Sequence, residues 1–188
     1  MKNKIIAISG IAGSGKTYLA KKLSLDFSID KVISLDLLLP LMRMMADKSN
    51  KYLFTNTHSA YQIDNIDAVS GYLRHSKAVQ QILSPYLDKI DDKIFILEGS
   101  QLTINYIEKL NTKFDVICFN IYTSKEILIN NYNKKSIIRK SNWLSHIDIL
   151  LQLQEYNKIM FGDKNYYNDN SVEFYNKIKN KLEEFLNG

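Results

Sequence analysis

Eight residues near the N-terminus constrain this chain more than any other stretch. Gly10-Ile11-Ala12-Gly13-Ser14-Gly15-Lys16-Thr17 fits G-x-x-x-x-G-K-[ST] at every position. It follows the apolar run Lys4–Ser9 (KIIAIS) and opens an amphipathic pattern, Lys16–Leu25, with Leu19, Ala20 and Leu23 on one face. A strand, a glycine-rich turn and a helix in that order make a phosphate cradle. The glycines let the backbone come close, so that amides and the helix N-terminus face an anion. Lys16 adds a cation aimed at the β- and γ-phosphates, and the Thr17 hydroxyl is a ligand for Mg²⁺. Nucleotide binding, with ATP and Mg²⁺ as the expected cofactors, follows from this stretch alone. Lys16 is expected to face solvent until nucleotide arrives.

The rest of the chain fits that start. Short apolar runs alternate with helical patterns: Val32–Leu35, Lys93–Leu97 and Phe114–Ile121 read as strands, and a short strand near Tyr166–Tyr167 is a weaker signal. Helical patterns cover Leu37–Met45, Ala68–Leu83 (ending short of Pro85), Leu102–Leu110, Lys125–Tyr132 and Trp143–Met160. Asn170 with Glu173 reads as a capping box for a last helix over Ser171–Phe185. The expectation is an α/β, three-layer P-loop fold, with a central and mostly parallel sheet of about five strands in one domain spanning 1–188.

Composition narrows the class without naming a function. A chain of 188 residues, 45% hydrophobic and 24% charged, is that of a globular protein rather than a disordered or fibrous one. No apolar run approaches the roughly 20 residues needed to cross a bilayer. The start Met1-Lys2-Asn3-Lys4 runs into a short apolar stretch and then the glycine loop, unlike a signal peptide, so a cytoplasmic location is expected. The single cysteine, Cys118, lies in an apolar run and reads as a buried strand thiol. A net charge of +5 spread along the chain suits anionic ligands and leaves nucleic acid open.

Two carboxylates stand where strand ends meet loops. Asp36 closes Val32-Ile33-Ser34-Leu35-Asp36 and could accept the proton of an attacking hydroxyl; capping the helix that begins at Leu37 is the compatible alternative. Glu98 closes Ile94-Phe95-Ile96-Leu97-Glu98-Gly99, the usual shape of a Walker B site that holds Mg²⁺. Arg43 and Arg74 are candidate contacts to an acceptor substrate. Lys134, Lys135, Arg139 and Lys140 cluster in a candidate basic lid at about 133–142, with Arg139 as its catalytic cation, because a planar guanidinium suits phosphate oxygens. A solvated basic face is the alternative for that cluster. His58 and His75 are further candidate substrate contacts. Trp143, Leu144, Ile147 and Leu151 read as a core-facing helix stripe.

The chain resembles the 2-phosphoglycerate kinases and their P-loop relatives. SGIAGSGKT, VISLDLLLPLMR, GYLRHSKAVQQIL with IFILEGSQL, and WLSHIDILLQLQEYN carry the likeness. It implies that Asp36 with Arg43, seven residues on, and the Glu98-Gly99 pair are site residues. The family often has an arginine where this chain has Leu39, and an isoleucine-arginine pair at Leu150-Leu151. The resemblance implies an ATP-dependent phosphotransferase acting on the hydroxyl of a small metabolite, with an alcohol or a phosphorylated, anionic metabolite as the acceptor. Two other classes stay open: a polynucleotide or nucleoside 5′-hydroxyl kinase, and a regulatory nucleotide-binding NTPase. The GTPase signature Asn-Lys-x-Asp is absent.

Overall fold

The computed structural model describes residues 2–136 and 143–188. Five strands, β1 (Lys4–Gly10), β2 (Val32–Ser34), β3 (Ile94–Glu98), β4 (Asp115–Tyr122) and β5 (Asn165–Tyr167), form one sheet in the order β2-β3-β1-β4-β5. Every neighbouring pair is parallel. The expected sheet is therefore present. Its central strands read as near-continuous apolar runs because helices cover both faces.

Side chains alternate across that sheet with a period of two. Ile5 and Ala7 point into a core shared with α2 (Leu35–Met45), α3 (Ala68–Leu87) and α4 (Ile104–Asn111). Ile6 and Ile8 point the other way, against α1 (Lys16–Asp26) and α7 (Val172–Asn187). A third cluster joins Ile11, Tyr72 and Leu128 to Leu150 and Leu153, linking α3 with α5 (Lys125–Ser136) and α6 (Ile147–Phe161). Cys118 is buried as expected, and burial pushes its thiol up to about 12.

Among the boundaries that differ from the sequence reading, three have a clear local reason, and the pattern read as one helix over Trp143–Met160 divides into a 3-10 turn, Trp143–His146, and α6. The β2 strand stops at Ser34 and α2 begins at Leu35, so Asp36 lies in the first helical turn rather than at the strand end. The α3 helix runs through Pro85 to Leu87. Pro85 falls in its last turn, where one missing amide is tolerated: the Ser84 carbonyl still accepts from the Asp88 amide, and Leu83 and Leu87 stay buried. The last helix is capped by Ser171, whose hydroxyl accepts from the Phe174 amide at 3.0 Å, while Asn170 takes a left-handed conformation (φ 64°). The register brings Ser34 and Ile8 to the level of Glu98. The ends of β1, β2 and β3 thus share one rim, where the strand order reverses and ligands bind in open α/β sheets.

Candidate functional site

The phosphate loop is held from outside. Three consecutive carbonyls, those of Ala12, Gly13 and Ser14, each accept from a side chain: the Tyr132 hydroxyl, Asn131 Nδ2 at 2.9 Å and Asn168 Nδ2 at 2.8 Å. A trans peptide points its N–H opposite to its C=O, so the amides of Gly13 and Gly15 face the concave side. The Ser14 amide instead closes the turn onto the Ile11 carbonyl at 3.3 Å. Gly13 (φ 84°) and Gly15 (φ 98°) adopt the conformation that favours glycine. A Cβ on Gly15 would also lie 2.3 Å from Asn168 Nδ2. No side chain caps α1, which begins at Lys16. Its first amides, without intrahelical acceptors, are oriented toward an anion.

Lys16 does not face solvent. Its side chain is 4% exposed and its Nζ lies 3.4 Å from Asp36 Oδ2. A buried ammonium needs a compensating anion, and the first turn of α2 supplies it. Asp36 keeps 47% of its side chain exposed, with Gln101 Nε2 at 3.5 Å from its other oxygen. Gln101 follows β3 and is itself buried, its backbone carbonyl accepting from Gln80 Nε2 at 2.7 Å. Ser34, not Asp36, occupies the N-cap position of α2.

Glu98 is fully buried beneath the same loop. Its Oε1 accepts from the Thr17 hydroxyl at 3.2 Å and from the Ser34 hydroxyl. Its Oε2 has no partner among the described residues although it is buried. An unpaired carboxylate oxygen one side chain from Thr17 fits Mg²⁺, which is held by one or two carboxylates with waters and phosphates. Among the described residues no group of three acidic, histidine or cysteine side chains could hold a metal by itself.

Arg43 and Arg74 are both engaged within the chain. Arg43 donates Nε to the Leu53 carbonyl at 2.9 Å and Nη2 to the Thr55 carbonyl, and burial lowers its pKa. Arg74 donates to the Tyr52 hydroxyl at 2.9 Å and pairs with Asp64 at 3.0 Å. Both hold the segment between α2 and α3. His75 helps them: its Nδ1 lies 2.8 Å from the Tyr52 carbonyl and so carries the proton, while Nε2 is buried without a partner. His58 packs against His146 with ring centroids 4.4 Å apart. Burial, with His146 and His75 nearby, pushes its pKa down to about 4. Arg139 and most of the candidate lid, 137–142, lie outside the described residues, as do the side chains of Lys135, Trp143 and Leu144.

No model of a known protein family matches the chain, and no curated protein matches its sequence. Solved structures do match its shape. A shikimate kinase from Acinetobacter baumannii in complex with shikimate is 12% identical, covering 100% of this chain and 94% of that one, with a TM-score of 0.57. A sugar kinase from Janibacter sp. HTCC2649 is 14% identical over 97% and 95% of the two chains, with a TM-score of 0.58. A gluconokinase from Sinorhizobium meliloti 1021 is 13% identical over 95% of each, with a TM-score of 0.55. The fold is that of the P-loop kinases. In that fold the loop after β1, Asp36 in the first turn of α2 and Glu98 at the end of β3 converge. Ser34, Gln101, Asn131, Tyr132 and Asn168 complete the P-loop site without a local sequence signal, since each acts through a contact made only in the folded chain.

Proposed function

We propose that this P-loop protein is a phosphotransferase that uses ATP and Mg²⁺ to phosphorylate the hydroxyl of a small molecule. The observation that carries this reading is the pair Lys16–Asp36, 3.4 Å apart with the carboxylate half exposed. It sets a proton acceptor beside the cation that grips the phosphates. Fold neighbours named as shikimate kinase, sugar kinase and gluconokinase support the same class.

Each residue has a role in that scheme. The amides of Gly13, Gly15 and the start of α1, with Lys16, bind the phosphates. Thr17 and Glu98 would hold Mg²⁺, which when bound supplies charge neutralisation at the transferring group. Ser34 fixes the Glu98 carboxylate. Asp36 orients the acceptor hydroxyl and takes its proton, with Gln101 limiting its rotation. Arg139 serves as the lid cation. Arg43 and Arg74 shape the acceptor side indirectly, through segment 52–64. The chain acts as one kinase domain in the cytoplasm, where ATP is supplied.

The finer reading, a 2-phosphoglycerate kinase, rests on sequence likeness alone. ADP release from ATP and Mg²⁺, measured across hydroxyl-bearing metabolites that include 2-phosphoglycerate, tests both levels. Acceptor-dependent release is expected. Release that no acceptor stimulates would return the chain to the regulatory NTPases. A 5′-hydroxyl oligonucleotide bound with a steep salt dependence would make it a nucleic-acid kinase.

A further inference from the structure

The α2 helix reads LDLLLPLMRMM, with Asp36 and Arg43 its only polar residues. A helix that is apolar all round belongs inside a protein. Only one side of this one is covered: Leu35, Leu39 and Met42 are buried in the core. Leu37 (70% exposed), Leu41 (56%), Met44 (82%) and Met45 (86%) meet solvent.

Helix geometry fixes where that surface lies. Residues four apart are neighbours along a helix face. One row therefore runs Asp36, Pro40, Met44, and the row beside it Leu37, Leu41, Met45; all six residues are exposed. The surface leading away from the Asp36 carboxylate is apolar for two turns, a length of about 11 Å. Arg43, the one cation on the helix, is turned onto the carbonyls of Leu53 and Thr55.

From this we infer that the acceptor is an uncharged alcohol carrying an apolar body, whose hydroxyl meets Asp36 while its alkyl or aryl part lies along Pro40, Met44, Leu37 and Leu41. The inference rests on the phosphotransfer reading only for the role of Asp36. A second copy of the chain is a poorer occupant. Specific, stable protein interfaces bury about 800 Å² per partner and use about 20–30 residues a side, and these two rows supply six. An anionic acceptor would instead find uncharged, apolar side chains along α2.

The test uses straight-chain primary alcohols from butan-1-ol to octan-1-ol against glycerol and 2-phosphoglycerate. ADP release and binding by equilibrium dialysis, with a non-hydrolysable ATP analogue present, are read in parallel. Affinity is expected to rise up to about four-fold per added methylene, the factor for fully burying one. Combined Leu41→Ser and Met44→Ser substitutions should flatten that series while nucleotide affinity stays unchanged. Octan-1-ol that binds through these residues without stimulating ADP release would keep the subsite and remove the phosphotransfer reading. A chain-length series that is flat in the wild-type protein would overturn the inference. So would preference for 2-phosphoglycerate or glycerol that the double variant leaves intact, or a wild-type dimer in sedimentation that the double variant dissociates.

Discussion

The two halves of the site are built on opposite plans. On the nucleotide side, geometry is imposed on the backbone: three carbonyls are held by Tyr132, Asn131 and Asn168, and the sheet register fixes Glu98 under Thr17. On the side proposed for the acceptor, the segment between α2 and α3 folds on its own backbone turns and is tied to its neighbours chiefly by Arg43, His75 and the Thr57–Ser100 hydroxyl pair at 3.2 Å. The difference fits the roles proposed for the two halves. Phosphate needs a fixed ring of donors, whereas acceptor shape is tuned by replacing a few side chains on a fixed frame.

The sharpest way to break this comparison is to separate the halves by mutation. Asp36→Asn should lower acceptor-dependent turnover by about 10²–10⁴ while nucleotide affinity changes little. Wild-type turnover in that variant would dissolve the acceptor half as a chemical unit. Lys16→Ala should cost about 10²–10³ in turnover, the range for removing one preorganised donor to a developing charge, and should also weaken ATP binding. Both losses are read in one calorimetric and kinetic experiment, and unchanged ATP affinity would remove the loop from the nucleotide half.

Smaller effects sharpen the same contrast. Gly15→Ala places a side chain where φ is 98° and Asn168 stands, so a stability loss of about 1–3 kcal/mol is expected with weakened ATP binding. Thermal unfolding with and without nucleotide measures it, and a variant as stable as the wild type would show that the Asn168 strap yields. A pH-dependent effect belongs to the segment between α2 and α3. His58 has a folded pKa near 4, below the ordinary 6.5, because it is buried and faces His146 and His75. The unfolded state therefore binds the extra proton more readily. Stability should be fully present above about pH 6.5 and decline as pH falls toward 4, by at most about 1.4 kcal/mol per pH unit. A His58→Asn variant with the same slope would show that this histidine is not its source.

How much of this was legible in the sequence divides along the same line. The strands β1, β3 and β4 could be read because their apolar runs are local, and even β5 left a trace at Tyr166–Tyr167. The loop, and Glu98 and Asp36 as carboxylates close to strand ends, were read from motif and strand order. What escaped was set by contacts distant in sequence. Ser34 reaches Glu98 across 64 residues, Gln101 reaches Asp36 across 65, and Asn168 reaches Ser14 across 154. Lys16 looked exposed because its neighbours in sequence say nothing of Asp36. Spacing also cannot show that the Arg43 guanidinium turns back onto the Leu53 and Thr55 carbonyls.

The strap from Asn168 to the loop also bears on how the protein comes into being. A ribosome that has released the first twenty residues has made the entire G-x-x-x-x-G-K-[ST] motif, but not the object the motif describes. The Ser14 carbonyl waits for a side chain 154 positions later, and the Asn168 carbonyl in turn is held by Thr123 at 2.8 Å. At about 5–20 residues per second, that interval lasts on the order of ten seconds or more. The full set of straps on the loop is therefore completed late in synthesis, after the last strand has been made, and a nascent chain stalled before β5 carries the motif without the Asn168 strap.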